Sequence, residues 1–215
     1  MIHHISENNS LVSQFIAEIR DEQIQKDALR FRRNLERIGE VFAYEISKKL
    51  PFVEKETNTP LGVASSFVLE SQPVLATILR AGLPLHTGLL NYFDQAENSF
   101  ISAYRKTRKD GSFDVHVEYL ASANLDGKDL IICDPMLATG KSMELAFKAL
   151  REKGTPRSIH VVSVISSKEA LDHIKKFFPA DTRYWIGAID EELTAQAYIV
   201  PGLGDAGDLA FGSKE

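Results

Sequence analysis

The sequence has one cysteine, Cys133, in 215 residues, so no internal disulfide can form. Cys133 lies in an apolar run and is read as packing rather than chemistry. No window of about 18 apolar residues exists, and no apolar leader follows Met1, so neither a membrane span nor a signal segment is expected. Cytoplasmic residence is the default expectation. Positive charge is not in excess: 25 Lys and Arg stand against 30 Asp and Glu, a net charge of −5, which argues against a broad nucleic-acid footprint. Internal repeats, low-complexity tracts and linkers are missing too, so residues 1–215 read as a single domain. Two nucleotide-binding fingerprints are present in letters only. Gly140-Lys141-Ser142 mimics the end of a P-loop, but the position of its leading glycine holds Pro135. Gly202-Leu203-Gly204-Asp205-Ala206-Gly207 spells the dinucleotide motif, yet only residues 208–215 follow, too few for the helix and strand it requires.

What is present centres on Leu130-Ile131-Ile132-Cys133-Asp134-Pro135-Met136-Leu137-Ala138-Thr139-Gly140-Lys141-Ser142. An apolar run leads to an acid, the acid to a loop of small residues, and the loop to the helical pattern Met143–Leu150. That order is buried strand, turn, helix, the way an open α/β sheet presents a ligand site at the carboxyl end of a strand. Backbone N–H groups from Ala138 to Ser142, the hydroxyls of Thr139 and Ser142 and the positive end of the next helix are the parts of a phosphate cradle. On spacing alone an ordinary strand–helix turn, with Asp134 ending the strand and Thr139 capping the helix, fits equally well.

The rest of the chain supplies the frame. Ser10 to about Leu50 is a helical segment, with faces at Leu11, Phe15, Ile16, Ile19 and at Phe31, Leu35, Ile38, Phe42, Ile46. Arg30, Arg32, Arg33 and Arg37 are read as a solvated face, and His3 and His4 as solvated rather than metal-bound. The turn Thr57–Gly62 and its flanks, 52–56 and 63–69, predict a hairpin. Val74–Leu79 predicts a strand buried on both faces, ending at Arg80-Ala81-Gly82 before a helix over 83–93. Strands over 100–105 and 113–119, joined by a basic polar turn, predict a protruding hairpin arm at about 104–120, either a hood over a site or a dimer contact. Further strands at 159–165 and 183–189 flank an amphipathic helix at 168–178. This alternation predicts an α/β fold: a mostly parallel open sheet with helices on both faces, plus N-terminal helices and the arm. The stretch Tyr198–Gly212 reads as a loop too polar for the core.

Three motifs, in order, resemble those of the uracil phosphoribosyltransferases: Ile78-Leu79-Arg80-Ala81-Gly82-Leu83, Asp134-Pro135-Met136-Leu137-Ala138-Thr139-Gly140, and Tyr198-Ile199-Val200-Pro201-Gly202-Leu203-Gly204-Asp205-Ala206-Gly207-Asp208. The resemblance implies a phosphoribosyltransferase-like fold and transfer of 5-phosphoribose from 5-phospho-α-D-ribose 1-diphosphate to uracil, giving UMP and diphosphate. It implies catalytic roles for Arg80, Arg105, Asp134 and Asp205. It implies binding of the phosphoribosyl donor by these four with Pro135, Met136, Leu137, Ala138, Thr139, Gly140, Lys141 and Ser142. Uracil would be read by Ile199, Gly204, Asp205 and Ala206, within a C-terminal loop over 196–215. Mg²⁺ is the implied cofactor, held mainly by substrate oxygens with Asp205 nearby through water rather than by a dedicated ligand set. The implied partners are the two small-molecule substrates and a second copy of the chain, as a homodimer or higher homo-oligomer.

The chain departs from the family pattern twice. Lys141 stands where a second glycine is usual, and Leu209-Ala210 replaces a charged residue and is expected to face away from the site. A rival reading is a nucleotide-binding regulator of pyrimidine genes with the same fold and little activity; another is the same chemistry on a purine.

Overall fold

The computed structural model describes residues 1–107 and 113–213, with the side chains of all of these except 104–107 and 113–116. The elements in chain order are β1 (Ile2–His4), α1 (Leu11–Arg20), α2 (Ala28–Ser47), β2 (Phe52–Thr59), β3 (Gly62–Leu69), β4 (Val74–Leu79), α3 (Leu83–Tyr92), β5 (Glu97–Thr107) and β6 (Phe113–Ala121). There follow β7 (Asp129–Cys133), β8 (Met136–Leu137), α4 (Lys141–Arg151), β9 (Ser158–Ser167), α5 (Lys168–Ile174), β10 (Arg183–Asp190), β11 (Glu192–Leu193), β12 (Ile199–Val200) and α6 (Ala206–Phe211).

The uninterrupted apolar runs became the centre of the sheet, because a strand covered by helices on both faces has no solvated side to alternate towards. The order is β1-β10-β9-β7-β4-β5-β6, with β8 beside β9. Every pairing is parallel except that of β6 with β5. The chain steps from β4 outward to β5 and β6, then returns to lay β7 on the other side of β4. The reversal therefore lies between β4 and β7, and open α/β sheets form their ligand crevice beyond the carboxyl ends of strands at such a point. Arg80 follows β4 and Asp134 follows β7, so both stand at that crevice.

Alternate residues of the strands feed two cores. Leu75, Ile131, Cys133, Val162, Val164 and Trp185 pack under α1, α2 and α3. Val74, Ala76, Ile78, Leu130, Ile132 and Val161 pack under α4 and α5 with Met143, Phe147, Leu171 and Ile174. Helix α2 starts cleanly because the Asp27 carboxylate accepts from the N–H groups of Leu29 and Arg30, both at 3.0 Å. Its apolar stripe is the one expected, Phe31 to Ile46, all buried. On α1 the buried stripe is Val12, Ile16 and Ile19, and Leu11 is exposed. Leu11 sits one residue, about 100° of helix turn, off that stripe.

The hairpin expected at 52–69 is there: among the described residues β2 and β3 pair only with each other, from Phe52 opposite Leu69 to Thr59 opposite Gly62. Strands β5 and β6 pair antiparallel out to Thr107 opposite Phe113, while the expected tip, Asp110-Gly111, lies outside the described residues. The C-terminal stretch differs from its reading as non-core. Ile199, Leu203, Ala206 and Ala210 are buried and join the core under α1 and α2. Its glycines and aspartates dominate the composition, but these four apolar residues between them turn inward, while Tyr198, Val200 and Phe211 stay exposed. Ala210 is thus buried, and Leu209 packs against the same core. Among the described residues no helix is long and apolar enough to cross a membrane.

Candidate active site

A cleft of about 600 Å³ opens at the sheet reversal, and the three motifs meet in it. From the end of β4 come Ile78, Leu79, Arg80 and Ala81; from the turn after β7 come Asp134, Met136, Ala138 and Ser142. The C-terminal stretch supplies Ala197, Tyr198, Ile199, Gly204, Asp205, Ala206 and Gly207, and β5 adds Ser102 and Ala103.

The turn after β7 stays in register with the sheet before it becomes a helix. Asp134 N–H donates to Val162 (3.1 Å), Ile165 N–H donates to Pro135 (2.9 Å), and Met136 and Leu137 pair with β9 as β8. Strand alternation then sorts the side chains. Asp134, Met136 and Ala138 face the cleft, while Pro135 and Leu137 are buried away from it. Gly140 ends this run with φ +77°, in the left-handed region, and α4 begins at Lys141. The N-cap of α4 is Gly140, which has no side chain to accept from the amides of the first turn. Lys141 therefore has helical backbone and is exposed; the conformation that demands glycine belongs to Gly140. Its N–H lies 3.4 Å from the Thr139 hydroxyl.

Behind the turn, Ser167 joins it to α5: its hydroxyl donates to the Ala138 carbonyl (2.6 Å) and accepts from Ala170 N–H (2.9 Å). His173 meets Glu144 of α4 at 2.7 Å, and Lys148 pairs with the same carboxylate. Burial opposes the charge on Glu144, but the bonds from Lys148 and His173 outweigh it and hold that carboxyl below its ordinary value. This keeps an acid in the first turn of α4 engaged sideways.

Arg80 reaches across the cleft to the C-terminal stretch, donating from Nη2 to Asp208 (3.1 Å) and to the Gly212 carbonyl (3.1 Å). Its Nε is buried and, among the described residues, has no hydrogen-bond partner. Asp205 caps α6, accepting at Oδ1 from Gly207 N–H (2.8 Å) and Asp208 N–H (3.0 Å). Gly204 has φ +93°, and among the described residues beyond its chain neighbours none would lie within 4 Å of a Cβ there. Arg105 lies in β5 opposite Val115, and its side chain is outside the described residues. Cys133 is fully buried under Asp134, and burial pushes its thiol up to about 12, which excludes it as a nucleophile.

The basic cluster on α2 is engaged within the protein. Arg30 pairs with Glu18, Arg33 with Glu36, and Arg37 donates to Asn34. Arg32 donates to the Ala210 carbonyl at the end of α6 (2.6 Å). Sequence reasoning missed two residues beside the site, Arg20 and Asp190, whose carriers are 170 positions apart and which share no motif. His3 stacks on Trp185, with ring centroids 4.1 Å apart, and is not a surface histidine.

The sequence matches the family described as uracil phosphoribosyltransferase over residues 6–213. It is 56% identical over 211 residues to the uracil phosphoribosyltransferase of Porphyromonas gingivalis, covering 98% of each chain. To that of Methanothermobacter thermautotrophicus it is 39% identical, covering 95% of this chain and 93% of the relative. The fold superimposes on the AQ2163 protein from Aquifex aeolicus with a TM-score of 0.87 at 30% identity, over 99% and 98% of the two chains. The Mycobacterium tuberculosis orotate phosphoribosyltransferase, at 13% identity and a TM-score of 0.50, shares the fold over 87% of this chain and 94% of its own.

Proposed function

The chain belongs to the uracil phosphoribosyltransferase family, and we infer from this and from the cleft that it transfers 5-phosphoribose from 5-phospho-α-D-ribose 1-diphosphate to N1 of uracil, giving UMP and diphosphate. The observation that carries the reading is the convergence of three separated motifs on one cleft at the sheet reversal.

The bond from uracil N1 to the ribose carbon forms as the carbon–oxygen bond to diphosphate breaks, and the N1 proton leaves. Positive charge builds on the ribose while the leaving group takes the electron pair, so the protein's task is to position both substrates and stabilise the anion. We assign the 5′-phosphate to the amides and hydroxyls of Ala138–Ser142; the position of this turn at the N-terminus of α4, with a glycine at the N-cap, supports this. Asp134, half-buried at the cleft, is assigned to the ribose hydroxyls. Arg80 is assigned to the diphosphate, and its buried Nε, unpartnered among the described residues, supports an anion there. Arg105 is assigned the same task through the family resemblance alone.

Uracil is assigned to Ile199, Gly204, Asp205 and Ala206. The open space where Gly204 would carry a Cβ supports close approach of a flat base to the main chain. Mg²⁺ suits this site as a companion of the substrate. Among the described residues no group of three or more His, Cys, Asp or Glu could hold a metal, and Asp134 and Asp205 are the carboxylates lining the cleft. A bound Mg²⁺ would supply charge neutralisation at the diphosphate oxygens. We further propose a homo-oligomer, supported by the β2–β3 hairpin, whose Phe52, Leu61, Val63 and Phe67 are exposed.

The test is to incubate the protein with phosphoribosyl diphosphate, Mg²⁺ and uracil, cytosine, hypoxanthine or guanine in turn, and to identify the nucleotide formed. UMP should form, with cytosine far slower because its amino group puts a donor where the loop also donates. A purine nucleotide, or none, would overturn the reading.

A further inference from the structure

Arg20 ends α1 and Asp190 ends β10, and they form a bidentate pair with two contacts of 2.8 Å. The pair is largely buried, with side-chain exposures of 21% and 7%. Both atoms of one backbone unit close onto it. Arg20 Nη1 donates to the Gly202 carbonyl (2.9 Å), and Gly202 N–H donates to Asp190 Oδ2 (2.9 Å).

As a device for stability such a pair is a poor choice, since the desolvation of two charges consumes much of their attraction and apolar packing would serve as well. The pair does something apolar packing does not: it fixes the direction of a backbone. Gly202 has φ +53°, and a Cβ there would lie 2.1 Å from the Ile199 carbonyl, so the chain is folded tightly on itself at the clamped residue. The residues on either side of the clamp face the cleft, Ala197 to Ile199 before it and Gly204 to Gly207 after it. Gly202 does not line the cleft, and neither does Arg20 or Asp190. The clamp holds the loop from behind.

We propose that Arg20 and Asp190 are positioning residues for uracil, acting through Gly202 to aim the backbone groups of the Ile199–Ala206 loop. The proposal rests on the assignment of that loop to the base. Apolar anchors hold the loop to the core independently, because Ile199, Leu203 and Ala206 share one buried cluster with Ile16 and Ile19. Loss of the clamp therefore turns the loop without detaching it, and a misaim of about 1 Å is enough to cost about 100-fold at a reacting site.

The experiment is steady-state UMP formation by wild type, Arg20→Lys, Asp190→Asn and the double variant. Lysine keeps the charge but cannot fork, and asparagine keeps the shape but loses the charge. Each single variant should raise the KM for uracil by about tenfold or more while the KM for phosphoribosyl diphosphate moves less than about threefold, a split that general loosening does not produce. The double variant should be little worse than the poorer single one, because the two groups act as one unit. An unchanged KM for uracil in both single variants, or a parallel rise for both substrates, overturns the clamp and leaves the functional reading standing. Wild type that forms no UMP overturns the functional reading and the clamp with it. Should a variant fail to fold, amide exchange in the wild-type protein decides: Gly202 should exchange at least about tenfold more slowly than Gly204 on the open side, and equal rates refute the clamp.

Discussion

Gly140→Ala tests the phosphate turn at its most constrained point. Two costs add. An alanine held at φ +77° pays the left-handed penalty of about 1–2 kcal/mol. Its Cβ would also lie 2.8 Å from Ile174 Cγ2 and 3.2 Å from both the Ala170 carbonyl and His173 Cδ2. Ile174 is fully buried, so its methyl cannot withdraw into solvent, and overpacking of this kind costs about 1–3 kcal/mol. The sum is about 2–5 kcal/mol, and the structure decides where it appears. Ser167 ties the turn to α5 from one side and the Glu144–His173 contact ties α4 to α5 from the other, so the turn cannot simply retreat. Strain is released by a shift towards the cleft, which moves the first-turn amides of α4 off the phosphate. The unfolding temperature should fall by about 4–20 °C, at about 2–4 °C per kcal/mol for a chain of this size. The KM for phosphoribosyl diphosphate should rise by at least about tenfold, equivalent to 1.4 kcal/mol, with a smaller change for uracil. Gly140→Asn separates the two costs, since asparagine tolerates the backbone but carries the same Cβ. A Gly140→Ala protein with unchanged unfolding temperature and unchanged KM would show that the turn has neither constraint.

Lys141→Gly should leave the enzyme active but weaken phosphoribosyl diphosphate binding, with a difference that shrinks as salt rises; tighter binding at every salt concentration would make the lysine a burden instead. Acidification should begin to destabilise the fold near about pH 6.5, above the range in which most carboxylates titrate. Burial holds the His160 imidazole down at about 4, so this contribution is complete above the ordinary value of about 6.5 and is lost as pH falls through 4. Up to about 3 kcal/mol should go over that window, with His3 and His86 shifted in the same direction, and the slope from denaturant unfolding should flatten in His160→Gln. An equal slope in the variant would remove His160 from the effect. Ala197→Gly should stabilise the chain by about 0.5–1 kcal/mol, because Ala197 is a non-glycine residue at φ +61°, and a loss of stability in urea unfolding would contradict that.

The frame was legible where burial is two-sided. Val74–Leu79 and Leu130–Cys133 are continuous apolar runs because nothing on either face of those strands is wet, and the turn residues after them mark the crevice. Strand β1 was not legible: three residues at a sheet edge, polar in composition, carry no periodicity. The C-terminal stretch misled because composition averages over faces, and its glycines and aspartates hid the inward Leu203 and Ala210. The departure at Lys141 left open whether that position needs a glycine; the positive φ is at Gly140, and a motif gives the letters of a turn but not which of them carries it. Arg20 and Asp190 were invisible for a different reason. A contact across 170 positions leaves no spacing to read, and only the folded chain brings α1 to the end of β10.

Trp185 is the sole tryptophan in the chain, and it lies 2% exposed between two imidazoles. His3 stacks on one face of it, and its indole N–H donates to His160 Nδ1 at 3.0 Å. The protein thus carries an internal optical reporter of known address. Its emission should be that of an indole shielded from water, and a protonated imidazole is an efficient quencher of indole light. Fluorescence at acid pH would therefore dim as His160 takes its proton and gives up the bond from the indole, while the sheet is still assembled. A shift to the red would follow only when β10 opens to solvent, so one spectrum would separate the first proton from the loss of the fold.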